Sequence, residues 1–155
     1  MIWANIGWWL VYIFMAIAMQ AVLPGLDLFL PGFIIALQER RLFQTLCVGA
    51  AFILAQEGMG SMAFGGTLLW YCVTMIVYHV GCAFFQGRSL LFVFLLSCLL
   101  SGVHFIIFGV LASLQDITWE PSHLLDECFL QALLTPLVWW LASSHRKGLI
   151  HENRE

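Results

Sequence analysis

Charged residues are scarce in this sequence: they make up 10% of its 155 residues, against about 25% in a typical soluble domain. A chain with so few charges cannot cover a water-facing surface. Only six residues are Lys or Arg, so the sequence also lacks the basic patch with which proteins bind nucleic acid. Hydrophobic residues make up 62% of the chain, which predicts a membrane protein with little mass outside the lipid.

Three long stretches of the sequence contain no Lys or Arg, and they alternate with the places where basic residues cluster. The basic residues are Arg40, Arg41, Arg88, Arg146, Lys147 and Arg154. Multi-span membrane proteins keep Lys and Arg in their cytoplasmic loops. The alternation therefore predicts a multi-pass inner-membrane protein whose N- and C-termini are both cytoplasmic.

The motifs of enzymes and metal sites are also missing. The five cysteines form no Cys-x-x-Cys pair, and four of them lie in apolar runs, where Cys behaves as a small buried hydrophobe. The sequence has no recognisable Ser/His/Asp set, pair of carboxylates or phosphate-binding loop. We therefore expect no catalytic residue, no metal and no cofactor.

The apolar runs, and the turn residues between them, predict an all-α polytopic membrane protein, a compact bundle of about six transmembrane helices. The predicted spans are residues 6–23, 31–37, 42–55, 67–85, 89–114 and 124–142. Residues 1–142 would form a single transmembrane domain, and residues 143–155 a polar cytoplasmic tail.

The second and third predicted spans are short. At 1.5 Å per residue the third covers about 21 Å, less than a hydrocarbon core about 30 Å thick. The two segments either cross the membrane as short spans or enter it as a re-entrant hairpin. A hairpin would bring Arg40 and Arg41 toward the midplane at about 2.5–3.5 kcal/mol each, and this cost favours two spans.

Polar side chains inside predicted spans are the natural candidates for function, because each is costly in lipid. Ser97, Ser101 and His104 stand at helical spacing and share one face of the fifth span. Gln20 lies near the end of the first span, where its amide can bond across helices. For all four, helix packing and contact with a partner, ligand or proton are the two interpretations. Glu57, at the end of the third span, either caps the next helix or has a functional role.

Tryptophans lie near the predicted ends of several spans. Trp3, Trp8 and Trp9 near the start of the first span, and Trp139 and Trp140 near the end of the sixth, fit the aromatic belts of membrane surfaces. We expect these rings at the interface between lipid and water.

The run AQEGMGSMAFGGTLL at residues 55–69 resembles the central motif of the rod shape-determining protein MreD family. In that family an acidic residue ends the third span, a Gly/Ser turn follows, and a large apolar residue with a glycine opens the fourth. Glu57 matches the acidic position, and Phe64 and Gly65 match the apolar–glycine pair. The next residue, Gly66, continues the turn.

Other positions extend the resemblance or depart from it. Gln20 near the end of the first span and Pro136 in the last helix match positions of the family. The sequence departs from the family's pattern in three ways: Glu57 stands where Asp is usual, the second helix is shorter, and Gly60 comes one position early.

The resemblance implies a non-enzymatic scaffold of the bacterial cell-elongation machinery, which maintains cell shape and builds the lateral wall. The implied partners are an MreC-like single-span protein, the MreB filament, and the RodA and penicillin-binding protein machinery, with membrane lipid around a bundle that can also form oligomers. The residues expected to bind the partner or pack the bundle are Gln20, Glu57, Gly60, Phe64, Gly65, Gly66, Ser97, Ser101, His104 and Pro136.

Two other functions remain as alternatives. A small-molecule (vitamin-type) binding subunit of an energy-coupling-factor transporter would have a similar size and six spans, and would need a deep polar pocket that faces outward. A lipid-modifying membrane enzyme would need charged or His residues clustered at one interface. His123, Asp126 and Glu127 are the local cluster that the sequence offers for such an enzyme.

Overall fold

The described part of the chain folds into six α-helices joined by turns. The structure, a computed structural model, describes residues 2–23, 25–58, 65–114 and 121–152. The helices are α1 Ile2–Val22, α2 Phe29–Gln38, α3 Leu42–Gly58, α4 Gly66–Phe84, α5 Leu90–Leu114 and α6 Pro121–Glu152. The predicted all-α class is confirmed.

Four of these helices, α1, α4, α5 and α6, are long and apolar enough to cross a membrane, whereas α2 and α3 are shorter apolar helices. At 1.5 Å per residue the 25 residues of α5 cover about 38 Å, and the 10 residues of α2 about 15 Å. Helix length and hydropathy thus indicate a multi-pass membrane protein, and the short second and third helices are confirmed.

The short helix α2 lies at the centre of the bundle. Each of its 10 residues is buried, and it packs against α1, α3 and α6. A helix that is apolar on every side needs apolar surroundings over its whole circumference, and other helices provide them here. Phe29 at the start of α2 contacts Phe52 of α3, with 4.9 Å between the ring centroids. The core of the fold is therefore built around the shortest of the described helices.

The N-terminal end of α2 is level with the middle of α1. The hydroxyl of Tyr12, midway along α1, donates a hydrogen bond to the Leu28 carbonyl at 2.9 Å. The described residues between α1 and α2 are not helical and run from the end of α1 to this level. Irregular backbone at membrane depth is stable only where protein or water surrounds it, and residues 26–28 are buried in protein. The second apolar segment is therefore longer than α2 alone, because the non-helical residues before the helix extend it.

The C-terminal end of α2 lies at what we call the basic end of the bundle, together with the turn between α4 and α5 and the last turns of α6. Arg88 Nη2 donates to the Gln38 carbonyl at 3.0 Å, and Arg146 forms an ion pair with Glu39. Basic residues that are far apart in the sequence are therefore close together in the fold.

Helices α5 and α6 make the most extensive contact between any two of the described helices. Ser97 Oγ donates across this contact to the Ala132 carbonyl at 2.9 Å. Helix α6 continues to Glu152, past the boundary at residue 142 that was predicted between domain and tail. Ser143 and Arg146 are buried against the bundle, so the first residues of the predicted tail extend α6.

Candidate functional site

The loop before α2 places a carboxylate inside the bundle. Asp27 is only 9% exposed, although it lies between the first and second predicted spans. Its Oδ1 accepts hydrogen bonds from the N–H groups of Phe29 and Leu30, at 3.0 and 3.2 Å, and from Gln56 Nε2 of α3 at 2.7 Å. Its Oδ2 accepts one from Trp70 Nε1 of α4 at 2.8 Å. One side chain thus joins α2, α3 and α4.

Gln131 of α6 holds the backbone of the same aspartate. Its Oε1 accepts a hydrogen bond from the Asp27 N–H at 2.8 Å, and its Nε2 donates to the Asp27 carbonyl at 2.9 Å. The side chain thereby satisfies both backbone groups of a buried residue that lies outside any helix. Gln131 is itself oriented by Thr135, whose Oγ1 accepts from Nε2 at 3.0 Å. We refer to Asp27, Gln56, Trp70 and Gln131 as the Asp27 cluster.

Hydrogen bonds and a helix dipole at the Asp27 cluster offset part of the cost of burying the Asp27 carboxylate. The N-terminus of α2 carries the positive end of the helix dipole and points at the carboxylate. Hydrogen bonds to an ionised acceptor are about twice as strong as neutral ones. None of the described Lys and Arg side chains forms an ion pair with Asp27, and those of Arg88 and Arg146 bond to residues at the basic end.

A cavity of about 10 Å³ lies beside the Asp27 cluster. Its lining residues are Gly25, Asp27, Trp70, Ser101, His104, Glu127, Cys128 and Gln131. The Oγ of Ser101 is buried and has no hydrogen-bond partner. A water molecule needs about 10–15 Å³ of such space, and pockets for drug-sized ligands measure about 300–1,000 Å³. In the described part of the chain, this cavity therefore accommodates one water-sized species.

A second polar cluster closes the other end of α2. Gln38 Nε2 donates to the Gly87 carbonyl at 2.7 Å, and Trp139 Nε1 of α6 donates to Gln38 Oε1 at 2.9 Å. The last carbonyl groups of a helix have no partner within it, and Arg88 satisfies that of Gln38. These bonds tie α2 to α6 and to the turn between α4 and α5.

Arg146 of α6 is 5% exposed and is enclosed by groups of α1 and the end of α2. It pairs with Glu39, and its Nη2 donates to Asn5 Oδ1 at 2.6 Å. The guanidinium carbon lies 4.5 and 4.7 Å from the ring centroids of Trp8 and Trp9, which adds cation–π attraction. The rings of Trp8 and Trp9 are therefore buried around a cation of the bundle, and their level relative to the membrane surface stays a prediction.

Two apolar grooves lie on the sides of the bundle. The first, of about 680 Å³, lies between α5 and α6 and is lined by Leu90, Leu91, Phe94, Leu133, Pro136, Leu137 and Trp140. We call it the Pro136 groove. The second, of about 340 Å³, lies between α4 and α5. No charged side chain lines either groove in the described part of the chain.

The glycine turn that was predicted to bind a partner is described only at its two ends. Gly60 and Phe64 lie outside the described residues. Glu57 Oε1 accepts a hydrogen bond from the Gly65 N–H at 3.0 Å, so its carboxylate joins the end of α3 to the start of α4. Gly65 has φ +85° and immediately precedes α4, and Gly66 is buried as the first residue of that helix.

The other predicted residues lie in different parts of the bundle. Gln20 Nε2 donates to the Leu26 carbonyl at 2.9 Å and so ties the loop before α2 to α1. Ser97 bridges α5 and α6. The ring of His104 contacts that of Trp70, with 4.9 Å between centroids. The structure thus brings Ser101 and His104 to the cavity beside Asp27, and it places Pro136 in the lateral groove.

Sequence reasoning missed Asp27, Gln56, Gln131 and Arg146 as interior residues. Their residue types were the available signal, because Gln131 falls inside a predicted span and Gln56 near the end of another. No local sequence pattern could predict that Gln56 and Gln131 bond to Asp27, because they are 29 and 104 positions away from it in the sequence.

Comparison with known protein families, curated proteins and solved structures gives no match. Among the described residues, no three His, Cys, Asp or Glu side chains are placed to share a metal ion. The site must therefore be interpreted from its own geometry.

Proposed function

We propose that this protein is a non-enzymatic scaffold of the bacterial cell-elongation machinery, located in the inner membrane with its basic end toward the cytoplasm. Its partner is a single-span protein of MreC type. Through that partner it joins the MreB filament and the RodA and penicillin-binding protein machinery. The resemblance of residues 55–69 to the MreD motif supports the choice of family. The Pro136 groove is the surface proposed to contact the partner.

The observation that carries the proposal is a contrast between two kinds of groups: the charged groups inside the bundle bond within the chain, whereas its larger grooves are apolar and open to the side. The charged groups of Asp27, Glu39 and Arg146 bond to other groups of the same chain. The larger grooves are apolar and open sideways from exposed residues such as Leu137 and Leu133. Such a surface is suited to packing against another apolar helix, because helices associate in lipid largely through close van der Waals contact.

The position of the groove indicates which part of the partner it contacts. Leu90 and Leu91 open α5 just after Arg88, and Trp140 lies near the basic end of α6. The partner's helix would therefore pack against the cytoplasmic half of this bundle. Its periplasmic portion would then rise past the outer half of α6.

Photo-crosslinking in living bacteria tests this contact. A photoreactive residue replaces Leu137, which is 58% exposed in the groove, and in a matched control replaces Leu54, which is 72% exposed on α3. We expect a crosslink to a single-span protein with a periplasmic coiled coil from position 137 and none from position 54. Crosslinks to lipid alone at both positions would refute the groove as the partner surface.

The same experiment separates the scaffold from the transporter alternative. Recovery of a transport ATPase pair and its coupling subunit from position 137 would indicate that the protein is instead the substrate-binding subunit of a transporter. Mass spectrometry of small molecules extracted from the purified protein would then be expected to find a vitamin-sized ligand, and the scaffold assignment would be withdrawn.

A further inference from the structure

A residue that lines the cavity beside the Asp27 cluster carries a buried hydroxyl. Ser101 is 5% exposed, lines this cavity, and its Oγ has no hydrogen-bond partner among the described residues. A buried hydroxyl without a partner destabilises the folded state, and a polar species in the cavity would remove this cost.

No described Lys or Arg lines this cavity. Asp27 lines the cavity, and Glu127 does so from α6. Glu127 approaches the loop backbone so closely that a Cβ at Gly25 would stand 2.3 Å from its Oε1. At the basic end, by contrast, Glu39 has Arg146 as its partner. Buried charges are normally paired with a cation of the protein or with a bound ion.

The two carboxylate oxygens of Asp27 are used unequally. Oδ1 accepts three hydrogen bonds, two of them from the positive end of α2, whereas Oδ2 accepts one from Trp70. A carboxylate oxygen has about two acceptor sites, so Oδ2 keeps capacity for one further donor or a cation.

We propose that this cavity binds one monovalent cation of sodium size, with Asp27 and Ser101 among its ligands. Hard cations take oxygen ligands, and the residues that line the space include ones with carboxylate, hydroxyl and amide oxygens. Its volume of about 10 Å³ is close to that of one water-sized species, so it has room for a single ion. The inference does not depend on the proposed scaffold function.

Thermal unfolding of the purified full chain in detergent tests the proposal. Stability is compared at one pH and ionic strength in sodium, potassium and N-methylglucamine chlorides. A ligand that binds only the folded state raises the midpoint, and we expect sodium to raise it by about 3–6 °C over N-methylglucamine. Binding of radioactive sodium should reach one ion per chain.

Two serine variants show whether the effect arises at this cavity. Ser101→Ala should abolish most of the sodium-dependent shift. Ser143→Ala should keep it, because Ser143 is similarly buried but donates to the Trp140 carbonyl near the basic end. Equal midpoints in all three salts, or a stability that follows pH alone, would mean that the cavity holds water or a proton, and the proposal would be rejected. An equal loss in both variants would place the cation elsewhere.

Discussion

Trp70 donates its indole N–H to the Asp27 carboxylate at 2.8 Å, and this bond joins the irregular loop before α2 to α4. Two other helices supply the remaining side-chain contacts to Asp27, through Gln56 and Gln131. A residue of the loop is thus connected to three helices that follow it in the sequence. The stability of the bundle should depend on this residue more than on any surface carboxylate.

Replacing Asp27 with Ala should destabilise the protein strongly. The change leaves Trp70 Nε1, Gln56 Nε2 and two backbone N–H groups without their acceptor, and one such buried group costs about 1–3 kcal/mol. We expect a loss of about 3 kcal/mol or more for Asp27→Ala, measured by equilibrium unfolding in mixed detergent micelles. Asp126→Ala, at an exposed position of α6, should change stability by less than about 0.5 kcal/mol. Equal effects of the two changes would contradict the buried role of Asp27.

Arg146 should be required for stability, whereas its neighbour Lys147 should not. Arg146→Ala leaves Glu39, whose side chain is 18% exposed, without its cation and removes the contacts to Trp8 and Trp9. Breaking a buried pair from one side costs about 3–5 kcal/mol, and we expect the lower part of that range. Lys147→Ala, at an exposed site, is the control and should have little effect. In the double variant with Glu39→Gln, part of the loss should be recovered; additive losses would exclude the pair as the cause.

Two helical glycines should respond in opposite ways to Ala. At Gly32 a Cβ would lie 2.4 Å from Tyr12 Cε1, whereas at Gly102 it would meet no described atom within 4 Å. Gly32→Ala should separate α1 from α2 and cost about 1–3 kcal/mol. Gly102→Ala should be neutral or stabilise α5 by up to about 1 kcal/mol. Unfolding midpoints of the two variants, measured side by side, check this contrast, and a tolerated Gly32→Ala would show that α1 can move away.

The effect of a substitution at Gly65 on stability should depend on whether the new residue tolerates a positive φ, and not on the size of its side chain. Its φ is +85°, and a Cβ there would meet no described atom within 4 Å. A β-branched residue is strained in this conformation, whereas Asn adopts it more readily. Gly65→Val should therefore lower the unfolding midpoint, and Gly65→Asn should largely restore it. If both lower it equally, steric contact at the turn is the cause.

The helix positions were predictable because local composition determines them. The predicted spans at 67–85 and 89–114 differ by one residue at most from the ends of α4 and α5, which are Gly66–Phe84 and Leu90–Leu114. Apolar runs of this length end where Gly and polar residues follow. The continuation of α6 over residues 143–152 was not predicted because most of these residues are polar, and their helix is held partly by the buried Arg146.

The polar candidates were predicted less well, because residue type does not determine burial. Ser101 and His104 were identified from their spacing on one helix face, and they do lie at one cavity. Ser97, on the same face, instead bridges to Ala132. Which of these serines has a partner depends on where α6 packs, and no local sequence pattern predicts the position of α6.

The sequence by itself determined the all-α class, the number of apolar segments and the separation of the basic clusters by long stretches without Lys or Arg, because hydropathy and chain order are local properties. The tertiary structure decided which polar groups became interior. Asp27, which lies between two predicted spans, is buried, whereas Asp126, which lies inside the sixth predicted span, is exposed. Asp27 is stable inside because donors from α3, α4 and α6 meet at its position, and only the packed bundle brings them there.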